Sequence, residues 1–550
     1  MSHLLHSHQD LLAIGEFDSH RSDQAPQSHR GIRAFFDSVA VALGMTTICN
    51  LWLVAPLVAA DHRTVYHWSG TAWSLFAPVF LDFSLFWLLL TLLLLATQRP
   101  SRGRDAVWFG FLLFLPWIAL KNWALLAQVN RLHRISLGLF GFTSILWLLI
   151  VLLWRPKYRT ALDRTRKLLS SGLRVVTMIG ILVLGQLAWF GWQARSLNVA
   201  LPRSSANRAA AITDPQQSRV IWILLDELSY QQVFGQRVNG LALPEFDRLA
   251  ATSTVFSHVI PAGIMTENVL PSLISGQPVD RIRSSADGRE LSLYNRQTGA
   301  WSSFSQHDTV FQDAQNLHGK TAAVGWFNPY CRILPDVLDQ CFWTMHSDTS
   351  NPYVIHAGFI ERLFVKKENR SGSVEHVGAI HIQDYRLLYA AADRMLADNT
   401  TTFLLIHMPI PHPGGIYNRA TGALDPRNST YLDNLALSDR YLAHVRSVLE
   451  AQGQWDSSTV IVMGDHSWRT KLLWSGAPGW TPEEQDASHG GQFDDRPGYI
   501  VKLPYQHAGI QIDIPFAAVR TRALMDQLIA GKISSPDQLS AWVRSVSPKR

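Results

Sequence analysis

The stretch RVIWILLDE, residues 219–227, decides the fold of the larger part of this chain. Its apolar residues, Val220 to Leu225, lack helical spacing and stop at two acids, Asp226 and Glu227. A continuous apolar run of this length predicts a strand that is buried on both faces of a parallel sheet. Because ligand sites collect just beyond the carboxyl ends of such strands, the two acids are candidate ligands.

A second run of the same kind occurs much later in the chain. STVIVMGDH, residues 458–466, is again apolar and β-branched, and it ends at Asp465 and His466. Carboxylates and imidazoles are ligands that zinc and manganese accept. Two strand ends with such side chains predict one metal centre assembled by the fold. The local alternatives are helix capping by the first pair of residues and a simple turn at the second pair.

From Arg219 onward, apolar strands alternate with amphipathic helical segments. This alternation predicts an α/β domain over residues 219–550, with a mostly parallel central sheet flanked by helices. Strands are predicted at Val220–Leu225, Thr321–Val324, Thr402–Ile406 and Thr459–Met463. Helices are predicted at Leu243–Thr252, Asp384–Ala397 and Tyr431–Ala451.

The first part of the chain is dominated by Leu, Phe, Trp and Ala. Each of five apolar stretches approaches the roughly 20 residues that cross a bilayer, namely Phe35–Ala60, Ser74–Ala96, Val107–Leu126, Leu137–Trp154 and Val175–Trp192. Buried helices of a soluble bundle are the alternative, but the stretches are apolar on all faces. The sequence therefore predicts a five-helix transmembrane domain over residues 34–195. A disordered cytoplasmic tail, residues 1–33, precedes it, and a linker, residues 196–218, follows it.

Lysine and arginine placement sets the expected orientation. Basic residues crowd the segment between the fourth and fifth spans, where Asp163 is the single acid, and the segment between the second and third spans. Arg131 and Arg134 oppose this bias. We expect a multi-pass protein of a bacterial inner membrane, with a cytoplasmic N-terminus and a periplasmic catalytic domain. The net charge of +6 is then mainly a topology signal, and no nucleic-acid partner is expected.

A candidate nucleophile lies in GIMTENVLPSLISG, residues 263–276. Thr266 stands just before a helical segment, and a helix N-terminus favours anions such as phosphate. A divalent cation at that point lowers the pKa of the hydroxyl and activates it as a nucleophile. Helix capping by Thr266 is the local alternative.

Three histidines are further candidates. His407 and His412 belong to TTFLLIHMPIPHPG, residues 401–414, and His489 belongs to ASHGGQ, residues 487–492. We expect His412 to contact a substrate phosphate, transfer a proton or bind a second metal, and His489 to serve the same site. A structural role is the alternative for each histidine. Of the three cysteines, Cys331 and Cys341 are expected either to form an exported disulfide or to be separate thiols.

The order of these motifs, from about Arg219 to Gln506, resembles the alkaline phosphatase superfamily and its sulfatase-like branch. Five spans followed by such a domain resemble the membrane-bound phosphoethanolamine transferases, and the lipoteichoic acid synthases and phosphoglycerol transferases are similar in layout. The resemblance implies that an acid after the first strand binds zinc, with Glu227 the best match and Asp226 the sulfatase-like alternative. It also implies that Asp465 and His466 are metal ligands.

The same resemblance implies that Thr266 is the nucleophile, since it lies five residues before Pro271, and that His412 and His489 are the family's further histidines. The chain departs from true sulfatases, which have Cys or Ser two residues before the proline and an Arg after it. Val269 and Leu273 stand at these places, so a formylglycine mechanism is not expected.

The expected function is a metal-dependent transfer of phosphoethanolamine or phosphoglycerol from a phospholipid donor to a lipid or glycan acceptor. The expected cofactor is a divalent metal, zinc first and manganese second, and the expected intermediate is phospho-Thr266. One alternative is a membrane-anchored hydrolase that uses the same site. The other is a non-catalytic exported module that binds a glycan or a protein.

Overall fold

The computed structural model describes residues 27–126, 138, 140–146, 149, 158–197, 219–345, 374–477 and 479–547. The chain divides into two compact units. The first unit contains residues 1–52 and 83–182, and the second contains residues 53–82 and 183–550. The second unit therefore includes a short segment from the N-terminal part of the sequence.

The N-terminal part is helical, with α1 Gln27–Val58, α2 Arg63–His67, α3 Ala72–Ala96, α4 Arg102–Leu126 and α5 Tyr158–Gln193. Among the described residues, four helices are long and apolar enough to cross a membrane, and they match the first, second, third and fifth predicted spans. Half of the predicted span at 137–154 lies outside the described residues, so the count of five stays a prediction.

The start of α1 corrects one expectation. Residues 27–33 are helical, although the sequence predicts them as part of a disordered tail; residues 1–26 lie outside the described residues. Helix propagation explains the difference, because each residue added to an existing helix gains a backbone hydrogen bond. Pro26 precedes the first helical residue, and proline is compatible with a helix start.

The second unit is built on an eight-stranded sheet with the order β12-β2-β11-β10-β1-β9-β7-β8. Its strands are β1 Val220–Asp226, β2 Thr254–Phe256, β7 Thr321–Trp326, β8 Gln340–Thr344, β9 Phe403–Pro411, β10 Thr459–Gly464, β11 Tyr499–Lys502 and β12 Ile510–Ile512. Neighbours from β10 to β8 are parallel, whereas β11 is antiparallel to β10 and β2. The mostly parallel central sheet is thus confirmed.

Two smaller sheets accompany the central one. One is the parallel pair β3 Val259–Ile260 and β13 Phe516–Ala517. The other is antiparallel and consists of β4 Arg281–Ser284, β5 Leu291–Asn295 and β6 Ala300–Ser303.

Nine α-helices are described in this part: α6 Pro244–Thr252, α7 Thr266–Ser275, α8 Val310–Asn316, α9 Tyr330–Ile333, α10 Val374–Ala397, α11 Tyr431–Ala451, α12 Pro482–Ala487, α13 Thr521–Ile529 and α14 Pro536–Val546. The predicted helices correspond to α6, α10 and α11. Cys331 of α9 and Cys341 of β8 form a disulfide, the first of the two expected alternatives.

Strand β1 positions the functional site. It lies between β9 and β10, is parallel to both, and is buried along its whole length. Leu224 pairs with His407, and Leu225 pairs with Gly464. The carboxyl ends of the three strands consequently meet at one edge, where a parallel sheet normally binds its ligands.

Candidate active site

Three predicted metal ligands come together at this edge. Asp226 ends β1, and Asp465 and His466 directly follow β10. Their ligand atoms lie within 4.8 Å of one another, and all three side chains are buried. The pairing of β1 with β10 therefore brings the candidate ligands of the two strand ends together.

Several buried polar atoms at this point have no hydrogen-bond partner among the described residues. They are Asp226 Oδ1, Asp465 Oδ2 and His407 Nε2, and the last lies 3.9 Å from Asp226 Oδ2. An unsatisfied buried polar group costs about 1–3 kcal/mol. A divalent cation fits this donor set, since carboxylate oxygens and imidazole nitrogens bind zinc. Asp226, Asp465 and His466 could hold such an ion, with His407 beside them.

The electrostatics of the cluster also favour a cation. Burial and the neighbouring Asp465 carboxylate raise the pKa of Asp226 well above its usual value. Burial acts to raise the pKa of Asp465 too, but His466 and His407 outweigh it and the pKa is lowered. Burial lowers the pKa of His466, which keeps its imidazole neutral and able to ligate.

Thr266 is the first residue of α7 and lies against this cluster. Its Oγ1 is 3.2 Å from His466 Nε2 and 3.4 Å from Asp226 Oδ2. The side chain is almost completely buried. A hydroxyl held between an imidazole and a carboxylate, at the start of a helix, is placed for nucleophilic attack on an anionic centre.

Glu227 is placed differently from Asp226. Its carboxylate accepts hydrogen bonds from the Arg469 guanidinium, from the Arg469 amide at 3.1 Å and from Trp474 Nε1 at 3.0 and 3.1 Å. Glu227 also has a φ of +65°, and its amide donates to Asp465 Oδ1 at 3.1 Å. Glu227 therefore has its own partners, although it, Asp226 and His412 together offer a second set of possible ligand atoms within 4.8 Å.

His412 lies in an aromatic surrounding beside Glu227. Its ring centroid is 5.3 Å from that of Trp474 and 5.4 Å from that of Trp326. Its Nδ1 is 2.7 Å from the carbonyl oxygen of Pro413, and its Nε2 is 3.8 Å from Glu227 Oε1. Burial, and then the Arg469 charge, lower the pKa of His412 well below its usual value. Nδ1–H donates to Pro413, which leaves the neutral Nε2 as a proton acceptor.

His407 belongs to the cluster, as its strand-end position allows. Burial lowers its pKa to about 4, so the ring is neutral at physiological pH. Its Nδ1 is 2.7 Å from the Tyr330 hydroxyl. If Nδ1–H donates to this hydroxyl, the Nε2 lone pair faces Asp226. Gly325 makes room for the arrangement, since a Cβ there would lie 1.9 Å from the Tyr330 ring.

His489 is not brought into the cluster. It is exposed and lines a separate cavity of about 350 Å³ together with Gln232, Trp468 and Asp494. Within the part of the chain that the structure describes, no residue of the metal cluster lines this cavity. The catalytic role of His489 stays a prediction.

Sequence reasoning missed Arg469, Trp474 and Tyr330. Arg469 follows His466 by three residues, and a charged residue so close to a ligand pair was an available signal. Trp474 and Tyr330 reach the site only through the tertiary fold, and their sequence surroundings carry no comparable signal.

Comparisons with known proteins agree with the fold. The family model described as Sulfatase matches residues 218–497, just over half of the chain. No curated protein matches the chain.

The similar solved structures include the following three. Ps i-CgsB in complex with k-i-k-neocarrahexaose is 15% identical with a TM-score of 0.40, over 59% of this chain and 74% of that one. The phosphonate monoester hydrolase of Agrobacterium radiobacter is 12% identical with a TM-score of 0.36, over 57% and 74%. The lipoteichoic acid synthase LtaP from Listeria monocytogenes is 13% identical with a TM-score of 0.34, over 57% and 72%.

Structural similarity at these TM-scores does not indicate a function, so the family of this chain is assigned from the sequence match alone. That match covers β1, α7, β9 and β10, which supply the clustered residues. The chain belongs to the sulfatase family and is an enzyme of the sulfatase-like type.

Proposed function

We propose that this protein is a metal-dependent transferase of phospholipid headgroups that works through a phospho-threonine intermediate. The observation that carries the proposal is the buried Thr266 hydroxyl, 3.2 Å from His466 Nε2 and 3.4 Å from Asp226 Oδ2. A threonine at this position cannot give the formylglycine aldehyde on which sulfate-ester hydrolysis depends. Direct attack by an alcohol on phosphorus is the chemistry that remains open to it.

The first half-reaction moves the headgroup onto the enzyme. Thr266 Oγ1 forms a bond to the phosphorus of the donor phosphodiester, and the bond from that phosphorus to the glycerol oxygen of diacylglycerol breaks. The proton that Thr266 loses passes to Asp226 Oδ2, and a proton from solvent restores the hydroxyl of the leaving diacylglycerol. Asp226 Oδ2 lies 3.4 Å from Thr266 Oγ1, and this proximity suits it to the acceptor role.

The second half-reaction reverses the chemistry with a different alcohol. The hydroxyl of a lipid or glycan acceptor attacks the phosphorus, the bond to Thr266 Oγ1 breaks, and Thr266 regains its proton. The neutral Nε2 of His412 takes the proton of the incoming hydroxyl and passes it to solvent, and the proton held by Asp226 Oδ2 returns to Thr266 Oγ1. Bound at Asp226, Asp465 and His466, zinc or manganese would supply positive charge that lowers the pKa of Thr266 and offsets charge on the phosphoryl oxygens.

A contact within the second unit supports a membrane topology for this enzyme. The Asp61 carbonyl, in the connection between α1 and α3, accepts a hydrogen bond from the Ser284 amide. If α1 and α3 cross the membrane, this connection and the catalytic domain lie on the same side of it. That arrangement requires an odd number of crossings before Arg219. The four described candidate helices and the predicted span at 137–154 together satisfy the requirement, and the positive-inside rule then makes this side periplasmic.

The proposal is tested with the full-length protein in lipid nanodiscs. Phosphatidylethanolamine and phosphatidylglycerol, each labelled in the headgroup, are supplied in parallel, and the peptide that contains Thr266 is examined by mass spectrometry. We expect an adduct on Thr266 whose mass identifies the transferred group. Thr266→Ala should abolish turnover while most of the bound metal is retained. Thr252→Ala, at the half-buried last residue of α6, is the matched control and should keep full activity.

Each outcome has a definite reading. Release of free headgroup, with the same adduct on Thr266, would identify a phosphodiesterase in place of a transferase. Full activity of Thr266→Ala would refute the covalent mechanism. Absence of zinc and manganese from the purified protein, together with unchanged cellular function after Asp465→Ala, would refute the enzymatic site itself.

A further inference from the structure

The connection between the first two apolar helices is built into the catalytic unit. It contains α2, whose residues Val65, Tyr66 and His67 are buried, as is the following Trp68. It belongs to the same compact unit as β1 and α7. Residues 61–69 are called the docking loop below.

One buried arginine fixes the end of the docking loop. The Arg332 guanidinium donates to the carbonyl oxygens of Val65 at 2.9 Å, Tyr66 at 3.3 Å and Trp68 at 2.6 Å. These carbonyls close the last turn of α2, where a cation is favourable. Arg332 directly follows Cys331, whose disulfide with Cys341 ties this segment to the sheet. The docking loop is therefore anchored to a covalently fixed part of the catalytic unit.

From this anchored position, Tyr66 reaches the nucleophile through one intermediate side chain. The Tyr66 hydroxyl donates to Asn328 Oδ1 at 2.8 Å, and Asn328 Nδ2 donates to the carbonyl oxygen of Thr266 at 3.3 Å. All three side chains are buried, and Tyr66 and Asn328 are each fully inaccessible to solvent. Buried hydrogen bonds of this kind fix geometry, because each lost partner leaves an unsatisfied group.

A second set of contacts reaches the residue after the nucleophile. Glu267 Oε2 is 2.7 Å from Arg63 Nε and 3.3 Å from His67 Nε2. The other ring nitrogen of His67, Nδ1, is 3.0 Å from the carbonyl oxygen of Phe327. Glu267 lies in the first turn of α7, so the docking loop holds that turn from two directions.

We infer that the docking loop is a positioning element for the nucleophile, with Tyr66 acting through Asn328 and with Arg63 and His67 acting through Glu267. The inference rests on the proposed role of Thr266. The sheet side of the site holds the Thr266 hydroxyl through Asp226 and His466, and the docking loop holds the backbone of the same residue. A nucleophile displaced by about 1 Å loses roughly 100-fold in rate.

The test removes one hydroxyl from the full-length protein. Tyr66→Phe keeps the buried ring and deletes only the bond to Asn328. We expect the kcat for headgroup transfer to fall roughly 10- to 100-fold with little change in KM for the lipid donor. Metal content should stay at the wild-type level. Deuterium uptake by the first turn of α7 should rise, and this readout does not depend on turnover.

Tyr441→Phe is the matched control. Tyr441 is equally buried, and its hydroxyl has no hydrogen-bond partner among the described side chains. Its loss should change neither kcat nor deuterium uptake by α7. Asn328→Ala should reproduce the kcat defect of Tyr66→Phe, and the double variant should be no worse than Asn328→Ala alone, because both changes break one path.

The possible results separate this inference from the proposed function. If Tyr66→Phe equals Tyr441→Phe in kcat and in deuterium uptake while Thr266→Ala is inactive, the positioning role is wrong and the proposed function stands. If Thr266→Ala retains turnover, the proposed function fails and the inference fails with it.

Discussion

The adjacent acids Asp226 and Glu227 should respond differently when each carboxylate is replaced by its amide. Both side chains are completely buried. Asp226 Oδ1 has no partner among the described residues, whereas the Glu227 carboxylate accepts from Arg469 and Trp474. We therefore expect Asp226→Asn to remove a metal ligand, and Glu227→Gln to break a buried ion pair and leave the metal site largely intact.

Two magnitudes follow from this difference. A four-ligand structural zinc site binds with about 10–16 kcal/mol, which is roughly 3 kcal/mol for each ligand. Asp226→Asn should then weaken metal binding by about 100-fold, since 1.4 kcal/mol corresponds to a factor of ten. Removal of one partner from a buried ion pair costs about 3–5 kcal/mol of folding free energy. Glu227→Gln should lose about 3–5 kcal/mol of folding free energy, and its metal affinity should change less than that of Asp226→Asn.

Metal affinity is measured by chelator competition on the purified full-length protein. Unfolding is followed with excess chelator present, so that bound metal does not contribute to apparent stability. Glu245→Gln is the matched control, because Glu245 is also buried and lies 3.3 Å from Arg248 and 3.5 Å from Arg446. It should lose stability without losing metal. Loss of metal from Glu227→Gln, with retention by Asp226→Asn, would refute this division of roles and make Glu227 the ligand.

Two further predictions concern pH and the disulfide. Burial and Asp465 raise the pKa of Asp226. As pH rises through that pKa, the metal-free folded protein loses stability, and the Asp226 side chain becomes a carboxylate that can bind a metal ion. The increase in melting temperature caused by zinc should therefore grow with rising pH; an increase that shrinks would contradict the role of Asp226. Replacement of both Cys331 and Cys341 by serine should lower the free energy of unfolding by about 2–3 kcal/mol, as expected for a short closed loop. Cys49→Ser is the control in denaturant titrations, and an equal loss there would contradict the prediction.

The central strands of the sheet could be predicted because one physical property, burial on both faces, determines their sequence pattern. β1 and β10 are buried on both faces, so the positions between their ends are apolar, and the predicted ends lie within one residue of the observed ones. α10 is less well predicted, since it begins at Val374 and not at Asp384. The antiparallel sheet β4–β6 was not predicted. Its strands are partly exposed, so their sequences lack a continuous apolar run.

The metal cluster could be predicted for a related reason. Parallel strands bring their carboxyl ends to one edge. This pairing alone predicts that Asp226, Asp465 and His466 lie close together. The choice between Asp226 and Glu227 could not be made from the sequence. The two acids differ in their surroundings because of the left-handed backbone at Glu227 and because of Arg469, which pairs with Glu227 from a position 242 residues away. His489 illustrates the opposite case, because a Gly-flanked histidine looks the same in sequence whether or not its loop faces the site.

The docking loop shows why the other contacts of the site could not be predicted from local sequence patterns. Tyr66 and Asn328 are 262 positions apart, and His67 and Glu267 are 200 apart. The sequence identifies residues 61–69 only as a weakly charged connection between two spans. Its density of aromatic and titratable side chains, DHRTVYHW, was the one available signal.

Since this connection directly joins α1 to α3, any displacement of these helices that moves the docking loop acts on the backbone of Thr266. If the positioning role holds, the apolar helices serve the reaction as well as the attachment to a membrane. Full activity then requires the docking loop, which precedes the sulfatase-like domain in the chain.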